Sequence, residues 1–192
     1  MKFEECRRYV NSDLKRLTLG NKSGGVKLLL RYLTTNASFK VTFWFRIASF
    51  LCLKRGFGWK ILHGVVALIR RHYAYKTGIQ MGVGTNIGGG LLFSHYSCIV
   101  INGGATIGKN CTIFQGVTVG SVRGVKGGVP SIGDNVVLAA GTKVIGNVHI
   151  GNNVMIGAGS VVVTDIPDNA VAVGNPARVI NYRGKENVEL YI

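Results

Sequence analysis

No run of this sequence stays apolar for the ~20 residues a helix needs to cross a bilayer. Val41–Leu53 comes nearest, but Arg46 interrupts it and Lys54-Arg55-Gly56 ends it. Trp59–Ile69 is a second apolar stretch, closed by Arg70-Arg71. Met1 to Lys15 lacks an apolar h-region, so no secretory signal is expected and the expected compartment is the cytoplasm. The four cysteines, Cys6, Cys52, Cys98 and Cys111, show no CxxC or other ligand spacing. That pattern predicts neither a metal site nor a disulfide framework. Acidic residues are scarce: eight Asp or Glu stand against 23 Lys or Arg, for a net charge of +15. No helix-turn-helix, zinc-finger or RNP signature accompanies this charge, which argues against a nucleic-acid partner.

The positive charge is concentrated. Residues 1–76 carry 16 basic and 3 acidic residues, whereas residues 77–192 carry 7 and 5. Residues 1–76 therefore read as a basic helical segment. Two readings of its apolar stretches stand side by side. One is a helical hairpin packed on the rest of the chain. The other is an interfacial membrane anchor, with Trp44, Phe45, Phe50, Phe57 and Trp59 beside basic residues. Near anionic lipid each Lys or Arg adds about 1 kcal/mol.

What the remainder has in plenty is period. Ile101, Ile107, Ile113 and Val119 recur every sixth position, as do Ile132, Leu138, Val144, Ile150, Ile156 and Val162. A hexapeptide period predicts a parallel β-helix, in which each repeat supplies one short strand and a corner. The aliphatic side chains point inward and stack into a continuous column. Four residues on from these aliphatics stand Cys111, Val117, Val136, Thr142, Val148, Val154 and Ser160, all small or β-branched. Cys111 reads most simply as a buried apolar residue. The expected fold is mainly β, with a β-helix over 77–180, the helical segment before it, and a tail over 181–192 that is either a short strand or mobile.

The period breaks twice. Ile87 and Phe93 hold one phase, and the column restarts at Ile101, eight residues on. A larger gap separates Val119 from Ile132, where Ser121–Ser131 is rich in glycine, valine and basic residues. Insertions in solenoids commonly map to loops on a binding face, so both breaks mark candidate functional positions. Of the four histidines, His63 and His72 fall in the helical part and His149 on an outward coil position. His95 sits at the first break, which singles it out as a candidate base.

The motifs around these positions resemble a known family. Gly78-Ile79 through Ile87-Gly88, Phe93-Ser94-His95, Ile113 through Gly120, Ile132 through Val136, Gly157 through Val161 and Gly174-Asn175-Pro176-Ala177-Arg178 are similar to the bacterial serine O-acetyltransferases. Phe45–Ala48 resembles the end of that group's helical region. The resemblance implies a left-handed β-helix, a homotrimer, acetyl-CoA as cosubstrate, no metal, and active sites in clefts between subunits. It maps the catalytic base onto His95. An imidazole with an ordinary pKa near 6.5 can take the acceptor hydroxyl's proton at neutral pH. The oxygen then attacks the thioester carbonyl, and the resulting oxyanion needs N–H donors. A backbone amide of Val119-Gly120-Ser121 is one candidate, which places Gly120 in the cofactor set. No Ser or Cys constellation suggests an acyl-enzyme, so direct transfer is expected. The resemblance further implies small residues, Ala140 and Ala158, along the pantetheine arm, with Lys143 and Arg178 near the nucleotide phosphates.

The chain departs from the serine-specific pattern at four places. Ser94 and Gln80 stand where that pattern has Asp, Gly128-Val129 where it has Arg-His, and Gly103 where it has Glu. Serine's ammonium and carboxylate want charged partners, because burying either unpaired is costly. The departures, together with Phe93–Tyr96, Ile101-Asn102 and Pro167–Ala170, resemble the colanic-acid branch of the group. The expected activity is therefore acetylation of a sugar hydroxyl in exopolysaccharide or capsule synthesis, at the inner face of the cytoplasmic membrane. Two alternatives remain. One is a serine O-acetyltransferase of cysteine biosynthesis, to which the terminal Tyr191-Ile192 would fit as a docking end. The other is a non-catalytic scaffold.

Overall fold

The computed structural model describes residues 1–18, 25–124 and 127–191. Four helices come first: α1 (Phe3–Leu17), α2 (Val26–Thr35), α3 (Ala37–Leu51) and α4 (Phe57–Thr77). Asn36 caps α3 by accepting from the Phe39 amide at 2.8 Å, and Gly78, at φ +68°, ends α4 in the left-handed region. The two apolar stretches therefore form a helical hairpin. Val41 and Phe45 of α3 enter the core of the β-domain.

The β-domain winds through three sheets, one strand per sheet per coil. The first coil contains β1 (Gln80–Met81), β2 (Asn86–Ile87) and β3 (Leu92–Phe93). The second contains β4 (Val100–Ile101), β5 (Thr106–Ile107) and β6 (Thr112–Ile113), and the third β7 (Thr118–Gly120), β8 (Ser131–Ile132) and β9 (Val137–Leu138). β10 (Lys143–Ile145), β11 (His149–Ile150) and β12 (Met155–Ile156) form the fourth. β13 (Val161–Val162), the bridge residue Ile166 and β14 (Val171–Gly174) form the fifth. Strands of successive coils pair in parallel, with Ile101 over Val119 and Val144 over Val162. β15 (Ala177–Asn181) then turns back antiparallel on β14, and α5 (Gly184–Glu189) follows.

Every aliphatic of the six-residue column is in the central core cluster, and so are Cys111, Val117, Val136, Val148 and Val154 of the second position. Thr142 and Ser160, at that same position, are fully buried. Burying one such aliphatic side chain contributes about 1.5–3 kcal/mol. Thr112 and Val137 point away from this core yet are buried. The chain's end covers this face: Val188 of α5 is buried, and Arg16 reaches the Thr112 hydroxyl at 2.6 Å and the Tyr191 carbonyl at 2.8 Å.

The corner between the second and third sheets carries a ladder of amides. Asn110 donates to Asn135, Asn135 to Asn153 and Asn153 to Asn169, each at 3.0 Å. All four asparagines have φ between +55° and +59°, a conformation that Asn tolerates better than bulkier residues. In the first coil this place is taken by Gly90, at φ +83°, where a Cβ would collide with the Asn110 side chain.

The helices are bolted to the first coil by an ion pair. Arg46 meets Asp13 at 3.0 Å, with side chains 2% and 1% exposed. The Arg46 guanidinium also donates to the carbonyls of Ile87 and Gly88, each at 2.6 Å. Asp13 accepts from the amides of Gly90 and Leu91 at 2.8 and 2.9 Å. Arg46, which interrupts an apolar stretch in the sequence, is thus a structural residue. Asp13→Ala leaves the guanidinium uncompensated, so unfolding in urea should show a loss of about 3–5 kcal/mol. A loss below ~1 kcal/mol would show that the pair is dispensable.

Candidate active site

A parallel β-helix of three sheets has three corners, and the candidate residues divide between two of them. The corner from the third sheet to the first contains His95, between β3 and β4. The two extra residues of the first break make this corner wider than the ones below it. Its backbone is nevertheless anchored. The Ser94 amide donates to the Ile113 carbonyl at 3.1 Å, the Cys98 amide to the Thr77 carbonyl at 3.1 Å, and the Gly116 amide to the Ser97 carbonyl at 2.9 Å. His95 is exposed, and its ring lies 6.0 Å from that of Phe114. Phe114 in turn meets Tyr191 edge-on at 5.8 Å. The imidazole therefore has an aromatic wall on one side and an open face.

Below His95 the same corner is narrow and nearly bare. Gly141 donates to the Gln115 carbonyl and Gly159 to the Ala140 carbonyl, both at 2.8 Å. The residues Gln115-Gly116, Ala140-Gly141 and Ala158-Gly159 thus lie in register, one pair per coil. Gly116, Gly141 and Gly159 all have φ near +70°. Coils rise by about 4.8 Å each, so the track from His95 to Ala158 is about 14 Å long. Lys143, on the adjoining strand, donates to the Gly116 carbonyl and, at 3.2 Å, to the Thr118 hydroxyl. Arg178 pairs across from Val173 at the track's far end, exposed, with one nitrogen on the Ala177 carbonyl at 3.0 Å. Four of the five expected cofactor residues, Ala140, Lys143, Ala158 and Arg178, share the His95 corner.

Gly120 does not. It ends β7, and the loop that follows leaves from the corner between the first and second sheets. The loop stays there. Val122 and Gly128 bridge each other, and a side chain at Gly104, Gly128 or Gly146 would touch Val129, Asn147 or Val122. Val125 and Lys126 of this loop lie outside the described residues. The two breaks in the period, each expected to mark a functional position, therefore occupy opposite edges of the first sheet. His95 and the Gly120 loop of one chain do not meet.

Gln115 was not anticipated. Its Oε1 is buried with no hydrogen-bond partner among the described residues, one coil along the track from His95. The signal was present as a recurring residue-plus-glycine pair, but only the alanine members stood out. A second concavity, of about 360 Å³, lies between α3, α4 and the first coil, and Trp44, Arg70, Arg71, Tyr73, Gln80 and Val100 are part of its wall. Arg70 donates to the Met81 carbonyl at 2.7 Å. His149 is exposed on β11, with its Nδ1 2.9 Å from the Ser131 hydroxyl, away from the His95 corner.

Residues 130–164 match the family described as bacterial transferase hexapeptide (six repeats). Over 131 residues the chain is 46% identical to serine acetyltransferase 1, chloroplastic, of Arabidopsis thaliana, covering 67% of this chain and 41% of that one. Its fold matches the soybean serine acetyltransferase complexed with serine at a TM-score of 0.75 and 30% identity, covering 92% of this chain and 70% of that one. A serine acetyltransferase in complex with CoA matches at a TM-score of 0.73 and 25% identity, with 93% and 71% covered. The chain belongs to the hexapeptide-repeat acyltransferases of the serine acetyltransferase type. The β-helix is accordingly left-handed. The chain spans about half the length of the curated relatives it matches.

These relatives correct the expected acceptor. They are serine acetyltransferases, and none of these matches supports the exopolysaccharide branch or a sugar hydroxyl. The expectation rested on charges missing from Gln80, Ser94, Gly103 and Gly128-Val129. A missing charge in one motif does not make its ligand neutral, because another element can supply the partner. Here α4 brings Arg70 and Arg71 to the concavity that Gln80 lines. The terminal Ile192, read as a docking end, lies outside the described residues.

No group of three or more His, Cys, Asp or Glu among the described residues is arranged to hold a metal ion. The described cysteines are all free thiols. Burial pushes the Cys111 thiol up to about 12, while the neighbouring Arg16 charge pulls it down by less. Cys52 and Cys98 are exposed. Since the thiolate is the reactive form, alkylation of the native protein near pH 8 should label Cys52 and Cys98 and spare Cys111 until the chain unfolds. Labelling of Cys111 at a comparable rate in the native state would contradict the packing described.

Proposed function

We propose that this chain is an acetyl-CoA-dependent O-acetyltransferase, with serine as its acceptor. The observation that carries the reading is the common corner. His95 stands at one end of a bare track of small residues, and Lys143 and Arg178 lie along that track. A pantetheine arm lies along Gln115, Ala140 and Ala158 in this reading, with its thioester towards His95 and its phosphates towards Lys143 and Arg178. The unpartnered Oε1 of Gln115 accepts an amide N–H of that arm.

The His95 imidazole removes the proton from the acceptor hydroxyl as the oxygen attacks the thioester carbonyl. The tetrahedral intermediate collapses with release of the CoA thiolate, which takes up the proton held by His95. The acetyl group passes to the acceptor without an acyl-enzyme. The oxyanion needs backbone N–H donors, and the glycine-rich Gly120 segment of the same chain is on the wrong corner. A homotrimer resolves this, because the loop of a neighbouring subunit can face the His95 corner. The active site is then a cleft between subunits. Cytoplasmic residence is part of the same reading.

Release of CoA thiol, followed with acetyl-CoA and free serine, tests the proposal. Turnover with serine is expected, and His95→Ala should lower it about 10²-fold or more. Absence of turnover with serine, despite CoA binding, would refute serine as the acceptor. Unchanged activity in His95→Ala would remove His95 from the mechanism. Gln115→Ala should raise the KM for acetyl-CoA by up to about tenfold, the worth of one hydrogen bond, and leave the KM for serine unchanged.

A further inference from the structure

Helix α4 carries an apolar stripe on the side that faces away from the protein. Phe57 is 81% exposed, Ile61 55%, Val65 49%, Leu68 64% and Tyr75 83%. Val66 and Thr77, on the opposite side of the helix, are its buried residues. At 100° per residue the five exposed side chains fall within one quadrant, and the stripe from Phe57 to Tyr75 is about 27 Å long. Exposed His72 lies on the same side, so the apolar run is unbroken from Phe57 to Leu68 and resumes at Tyr75. Single exposed apolar residues are ordinary, but a stripe this long marks a contact surface. Aromatic residues stand at both ends of it.

The charge around the stripe is of one sign. Lys54, Arg55, Lys60, Arg71 and Lys76 are exposed on or beside α4, and the helix contains no acidic residue. No Asp or Glu occurs anywhere between Asp13 and Asp134. Three other arginines of the helical segment are committed to the fold: Arg16, Arg46 and Arg70 donate to carbonyls of the first coil. Those beside the stripe are not engaged by any acidic partner, since the single ion pair among the described residues is Arg46 with Asp13. A second copy placing its own α4 here would set base against base.

We propose that this face of α4 docks on an anionic lipid surface. Phe57, Ile61, Val65, Leu68 and Tyr75 enter the boundary between headgroups and acyl chains, while Lys60 and Lys76 meet lipid phosphates. The helix lies in the interface rather than crossing it, for no described helix is long and apolar enough to span a membrane. The attachment is independent of the acceptor and of the chemistry at His95.

Flotation of the full chain with vesicles tests this. With equal parts of phosphatidylglycerol and phosphatidylcholine the protein should float, and with phosphatidylcholine alone binding should fall about tenfold or more. The variant Ile61→Glu/Leu68→Glu should bind the anionic vesicles at least about tenfold more weakly. Its helix content and urea midpoint should be unchanged, because both positions are exposed. No flotation of the wild-type chain, or equal flotation of the variant, overturns the proposal. So does a variant that loses a subunit in size-exclusion chromatography while the wild-type chain ignores lipid, because the face is then a contact between copies.

Discussion

The first coil has no coil above it, and the rest of the structure depends on how its bare edge is closed. Within the stack, the carbonyls of Ile107, Ile113 and Val119 accept from the amides of Gly88, Ser94 and Asn102 in the coil above. The equivalent carbonyls of the first coil, on Ile87, Phe93 and Met81, have no such donor. Buried carbonyls without partners are costly. The helical segment supplies them: Arg46 to Ile87, Ser38 to Phe93 at 2.8 Å, and Arg70 to Met81. Part of the basic character of residues 1–76 therefore follows from a fold that begins with an edge of acceptors.

Each of the three corners has its own task. One is tied by the asparagine ladder. Another throws out the glycine-rich loop. The third is kept bare and holds His95. This division separates the corner that ties the coils together from the bare corner of the proposed site. It also places the His95 corner and the glycine-rich loop of one chain on opposite edges of one sheet.

The six-residue period made the β-domain legible, because each period puts one side chain into the same column. Those columns are the core of the structure. The wide corner that carries His95 was legible as an interruption of that order. The acceptor expectation failed for a physical reason: a motif reports one element, whereas a concavity such as the one beside Gln80 is lined by several. Arg70 and Arg71 are in a helix with no repeat, so their approach to Gln80 had no sequence signature. The ion pair of Asp13 with Arg46 was hidden in the same way, since its partners are far apart in sequence and meet only through packing. Gln115 was overlooked because a glutamine among alanines looks like variation until its oxygen is found buried.

The asparagine ladder has one more consequence. A chain of identical amides, each satisfied by the next, contains nothing that fixes how many members it should have. Its upper limit is set where Gly90 replaces the next asparagine. The amide and carbonyl exposed there are taken by Asp13 and Arg16 of α1. A residue without a side chain thus acts as the terminator of a repeating polymer, and the site it vacates is where the non-repeating part of the protein attaches.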